Sequence, residues 1–176
     1  MAAPQIERPR PNPLPARQAS PLQVSLEPLR LALTLVNATL AYRLEVANRG
    51  AVALTGVVIG ADMISAHASL SREEQLSGPG AGSGSVPMQR IDRLEPGESQ
   101  VVEGEFRLPF PQIVPIRQGD AALLLPLARF RVDAEGAAPM VRTFVIGQPG
   151  QGKSLQPFRL DQGPRIYPRL TQHAFA

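Results

Sequence analysis

The sequence has no cysteine, and that absence removes disulfides, zinc–thiolate sites, iron–sulfur clusters and thiol nucleophiles together. It has no tryptophan either, and aromatic residues make up only 5% of the 176 residues, so a core must be built mainly from Leu, Val, Ile and Ala. The 2 histidines, His67 and His173, are too few for a catalytic transition-metal site without cysteine. Lys153 is the sole lysine; all other basic charge is arginine. No apolar run approaches the roughly 20 residues that cross a bilayer as a helix. The opening MAAPQIERPRPNPLP lacks the apolar segment of a secretory signal. These absences predict a soluble chain, cytoplasmic as written, that reaches a membrane only through a separate anchor or partner.

What the chain does have is punctuation. Pro 19 and Gly 15 are spread between short apolar runs, the pattern of an all-β domain, and 43% hydrophobic content is enough for a true core. The organising stretch is Leu29 to Ile59. Leu29, Leu31, Leu33 and Leu35 alternate with Arg30, Ala32 and Thr34, and Leu40, Tyr42, Leu44 and Val46 alternate with Ala41, Arg43, Glu45 and Ala47. Period two predicts two half-buried antiparallel strands. Asn48-Arg49-Gly50 predicts a turn, and Val52 to Met63 one or two further strands whose inward face the pattern leaves open.

Around that stretch the chain divides into three parts. Residues 1–21 carry six prolines and predict a disordered, proline-rich tether. Residues 22–147 predict the β domain, interrupted by a loop insertion at 65–92. In the insertion, Ser71 and Glu74 have the spacing of a helix capping box, and GPGAGSGSVP predicts a flexible loop. Glu95-Pro96-Gly97-Glu98 predicts a type II turn leading into a strand from Gln100 to Leu108. Ala121 to Val132 predicts one strand, with Pro126 forcing a bulge or an edge position, returning after a hairpin loop as Met140 to Ile146. Residues 148–176 show neither period and predict an extended tail packed on the domain through Phe158, Leu160, Ile166 and Tyr167, with its last residues frayed.

The formal charge of +3 and pI near 10.2 permit an anionic partner, and scattered arginines make an anion or nucleic-acid binding module one alternative. The arginines, however, interleave with acids along the strands (Arg43 with Glu45, Arg107 with Glu103 and Glu105), as on solvated faces, so no specific nucleic acid is expected. A second alternative is a nucleotide-binding protein. Gly147-Gln148-Pro149-Gly150-Gln151-Gly152-Lys153-Ser154 matches the phosphate-loop pattern at every position. The required context is a strand before and a helix after, and Pro157, Pro164 and Pro168 disfavour the helix. Around His67, the residues Asp62, Ser65, Ser69, Glu73 and Glu74 crowd into one short stretch. Hydrolytic triads instead converge from distant segments, and the carboxylates lack calcium-loop spacing. No catalytic, cofactor-binding or metal residue is assigned, and no enzyme activity or cofactor is expected.

Two short motifs give the chain a likeness. Tyr42, Leu44, Val46, Asn48 and Gly50, followed by Leu94, Pro96, Gly97 and Glu98, resemble the strand-and-turn pairs of the CARDB-like branch of bacterial immunoglobulin-like sandwiches. The segment PFRLDQGPRIYP is similar to the ends of proteobacterial proteins that carry such a domain after a membrane anchor and a proline-rich linker; no such anchor stands in this sequence. The resemblance implies an immunoglobulin-like antiparallel β-sandwich of about seven strands with a long loop insertion and extended termini. It also implies a bacterial protein-interaction or structural role, envelope-associated in such proteins, with another protein as partner.

Overall fold

Leu40, Tyr42, Leu44 and Val46 are all buried on one face of β2 (Asn37–Asn48), as their alternation predicts. The computed structural model describes residues 20–79 and 89–175. Nearly all of the expected tether and of the GPGAGSGSVP loop lies outside those residues. β2 is flanked by β1 (Leu22–Leu33) and by β5 (Ser99–Pro109), both antiparallel to it.

β1 begins seven residues before Leu29. Leu22, Val24 and Leu26 are buried at even positions, the register shifts between Pro28 and Arg30, and Leu31 and Leu33 are buried at odd positions. A proline has no N–H for the ladder, so the chain bulges there and the inward parity changes. The regular alternation from Leu29 to Leu35 therefore does not describe one strand. Leu29 is only half-buried, and Leu35 lies beyond the strand end and is 83% exposed.

The second sheet places β3 (Leu54–Ser65) between β4 (Gln89–Leu94) and β8 (Pro126–Asp133), with β9 (Met140–Pro149) beyond β8. The inward face of β3 is the odd one, carrying Val57, Ile59 and Met63. The two sheets close over one core. At its centre Tyr42 stacks on Phe106 at 4.6 Å, Phe130 meets both edge-on or tilted, and Phe144 lies 5.9 Å from Phe130. Four of the eight Phe and Tyr residues thus occupy one cluster spanning both layers.

The all-β antiparallel architecture is as expected, but there are thirteen strands among the described residues, not about seven. Seven have six residues or more and form the sandwich proper. The other six are short. Pro126 ends one strand rather than bulging it: β7 (Ala121–Leu124) pairs with β6 (Ile116–Gln118) and β11 (Phe158–Arg159) in a small third sheet, apart from β8. The expected tail is strand-forming too. β10 (Leu155–Gln156) and β13 (Thr171–Phe175) pair with β9, and β12 (Arg165–Tyr167) pairs with β1. Strands of two to five residues are too short to print a period. Phe158 and Tyr167, 4.9 Å apart and both buried, pin this segment; Leu160 is half-buried, and Ile166 points out at 65% exposure.

Burial in this core pushes the Tyr42 hydroxyl up to about 12. The folded value lies above the unfolded one near 10, so the contribution is complete below pH 10 and is lost as pH rises towards 12. Roughly 2–3 kcal/mol of stability is expected to disappear across that window, at about 1.4 kcal/mol per unit. Urea midpoints measured from pH 9 to 11.5 should fall for the native chain and stay flatter for Tyr42→Phe.

Candidate functional site

Five of the residues behind the family likeness, Asn48, Gly50, Leu94, Gly97 and Glu98, meet at one point. Asn48 ends β2 and is completely buried. Its side-chain amide donates to the carbonyls of Val52 (2.8 Å) and Leu94 (3.0 Å), and its Oδ1 accepts the Gly50 N–H at 2.9 Å. Its backbone N–H donates to Glu98 O and its carbonyl accepts from Gly97 N. The Glu95–Glu98 turn is closed by Glu98 N to Glu95 O at 2.9 Å, with Gly97 at φ +78°, the left-handed conformation that position i+2 of a type II turn requires. One asparagine therefore ties the β2–β3 turn to the β4–β5 turn. It is a structural clamp that fixes where β5 starts.

From that clamp β5 runs in unbroken register against β2, from Ser99 opposite Ala47 to Pro109 opposite Asn37. Its other edge has no strand partner among the described residues. At the far side of the same sheet, β12 covers the end of β1. Val102, Phe106 and Leu108 face the core, while Val101, Glu103, Glu105 and Arg107 face outward. Arg43 bridges Glu103 (2.9 Å) and Glu27 (3.1 Å) across this outer face, whereas Glu105, opposite Ala41, takes part in no ion pair among the described residues.

The 65–92 insertion starts with a short helix, α1 (Arg72–Leu76), and the expected capping box is present: Ser71 Oγ accepts Glu74 N at 3.1 Å and Glu74 Oε2 accepts Ser71 N at 2.9 Å. The Ser71 N–H and the Ser71 hydroxyl, both donating to Glu74 Oε2, hold the Glu74 carboxyl below its ordinary range. Arg129 of β8 anchors the helix, donating to the Glu74 carbonyl at 3.0 Å while its guanidinium grips Asp62 on β3. Residues around His67 are thus committed elsewhere: Asp62 to Arg129, Glu74 to Ser71, and Ser65 Oγ to the Val114 N–H at 3.1 Å. Among the described residues no group of three or more His, Asp or Glu side chains comes close enough to hold a metal ion.

The phosphate-loop look-alike is a hairpin. β9 and β10 pair antiparallel through it, Pro149 opposite Leu155, and a strand rather than a helix follows. Gly150 N donates to Ser154 O at 2.9 Å, and the Ser154 hydroxyl donates to Gln151 O at 2.7 Å. The motif's glycines have local reasons: a Cβ on Gly147 would meet the Leu155 side chain at 2.2 Å, and Gly152 turns the chain at φ +65°. The geometry offers no helix N-terminus to receive a phosphate.

Of the arginines that an anion-binding reading would use, Arg43, Arg90, Arg93, Arg129, Arg131 and Arg159 are in ion pairs with carboxylates. No helix among the described residues is long and apolar enough to cross a membrane. No family model, curated protein or solved structure matches this chain. Asn48 is marked in the sequence as a turn residue and as part of the family likeness, and neither reveals its clamp. Its clamp joins positions 46 apart, which no local pattern encodes.

Proposed function

We propose that the chain is a non-enzymatic interaction module of the CARDB-like immunoglobulin kind, which takes an extended segment of a partner protein along β5. The observation that carries this reading is the free edge of β5, eleven residues long, in register with β2 and without a bulge. Unpaired N–H and C=O groups on such an edge supply the hydrogen bonds of strand addition, and alternating side chains supply selectivity. Glu105 favours a basic side chain opposite it. Self-pairing about Gly104 would set Glu103 against Glu105 of a second copy, a like-charge contact that favours a different partner.

The test is a selection of peptides from a random display library on the full chain, followed by amide hydrogen exchange of the best binder's complex. Protection should appear along Ser99–Pro109. Protection confined to the α1 region, or no selectable peptide, would refute strand addition at β5.

A further inference from the structure

The end of the sandwich opposite the Asn48 clamp carries three large aliphatic side chains in the open. Leu35 and Val36 form the tip of the β1–β2 hairpin, 83% and 63% exposed, and Ile166 of β12 lies beside them at 65%. With Leu33 and Pro164 they line an open groove of about 790 Å³, and Arg165 sits on its lip. The tip is rigidly built. Thr34 N donates to Asn37 O at 2.9 Å, Thr34 Oγ1 accepts the N–H groups of Val36 (3.2 Å) and Asn37 (3.0 Å), and Val36 O accepts Phe110 N at 3.0 Å. Exposure of Leu35 and Val36 is therefore held by a fixed turn.

On the outer sheet face behind this tip the charge is of one sign until the second row of residues back; in the segment beside Leu35, the Asp161 carboxylate is neutralised by Arg159. The first complete row across the outer face is Ile166, Ala32, Thr39 and Arg107. The next carries Arg30, Ala41 and Glu105, and Glu105 is its only carboxylate. Arg30, Arg107 and Arg165 take part in no ion pair among the described residues; Arg165 donates only to the Gln162 amide oxygen at 3.1 Å. At about 3.4 Å per residue, Arg165, opposite Leu33, stands about 7 Å behind Leu35, Arg107, in the Ile166 row, about 10 Å, and Arg30 about 17 Å. Apolar groups of interfacial segments enter a membrane by about 5–10 Å, with basic groups at headgroup level. The depth offset and the sign of the charge match an anionic lipid surface.

We propose that this end of the sandwich docks on anionic membranes, inserting Leu35 and Val36 below the phosphates, with Ile166 at the boundary and Arg165 and Arg107 among the phosphates. Docking engages β5 only near its end at Arg107 and leaves the edge from Ser99 to Glu105 open to a partner, and it goes beyond the sequence expectation of a separate anchor.

Flotation of the full chain with phosphatidylglycerol/phosphatidylcholine vesicles tests the proposal. Binding is expected to these and not to pure phosphatidylcholine, to weaken with salt, and to fall at least tenfold in Leu35→Ser/Val36→Ser/Ile166→Ser. Because the sequence has no tryptophan, Leu35→Trp adds a single reporter, and its emission should shift to the blue on anionic vesicles even if the triple variant folds poorly. An Arg8→Ala/Arg10→Ala/Arg17→Ala variant should bind almost normally. Absence of binding, an unshifted Leu35→Trp spectrum, or loss of binding in the Arg8/Arg10/Arg17 variant alone would overturn the proposal. So would a triple variant that converts a dimer to a monomer, since the tip would then be a contact between copies of the chain.

Discussion

Asn48→Leu is expected to lower stability by about 2–5 kcal/mol, because it leaves three backbone groups without their partner, at about 1–3 kcal/mol for the buried one and less for the two that are part-buried. Those groups are the carbonyls of Val52 and Leu94 and the N–H of Gly50, each within 3.0 Å of the Asn48 side chain. Leucine keeps the branched skeleton of asparagine, but its methyl groups need more room than contacts of 2.8–3.0 Å leave, so crowding adds to the loss. Against a typical total of about 5–15 kcal/mol, this leaves a marginal fold, read as a fall in the urea midpoint. Asn48→Asp separates donor from acceptor. It keeps an acceptor for Gly50 N but turns a carboxylate towards two carbonyl oxygens, so its folded pKa must lie above the unfolded value near 4. Its stability is then best at acid pH and declines as pH rises through the folded pKa. A loss below 1 kcal/mol for Asn48→Leu would show that the two turns are held by something other than this clamp.

Leu44→Asp is expected to abolish cooperative folding. Leu44 has no exposed surface, sits between Leu26 and Val102 in the first sheet, and faces the second. Truncating such a leucine costs about 2–5 kcal/mol, and an unpaired carboxylate buried in its place adds several more. Leu44→Ala carries only the first cost and should melt cooperatively at lower temperature. Circular-dichroism melts of the pair separate the two effects; a cooperative melt of Leu44→Asp near the native temperature would displace Leu44 from the core.

Much of this was readable because β2 is regular: Leu40 to Val46 alternate without a break, and every inward residue is buried. The capping box at Ser71 and the type II turn at Gly97 were equally readable, since both depend on residues three or fewer positions apart. β1 was misread for a physical reason. The bulge between Pro28 and Arg30 moves the inward parity from even to odd, which hides the part of the strand before Leu29, and the alternation of leucines runs on past the strand end at Leu33 into the exposed turn. The short strands from Leu155 on left no period because none exceeds five residues, and β11, β12 and β13 owe their pairing to distant partners. Of the candidate surfaces, the free edge of β5 could not be seen in advance: whether a strand is central or peripheral depends on which other segments pair with it. The exposed tip was hidden for the opposite reason, its leucine and valine having the look of core.

The pairing of β12 with β1 also sets a timetable for synthesis. Tyr167 lies opposite Leu31, so the covering strand emerges 136 residues after the strand it covers. At roughly 5–20 residues per second, that interval is about 7–30 s. Through it the β1–β2–β5 layer can form while its outer flank beside Leu31 waits uncovered. A newborn chain therefore passes through a stage with two open flanks on one sheet, and the mature one keeps only the β5 flank at full length.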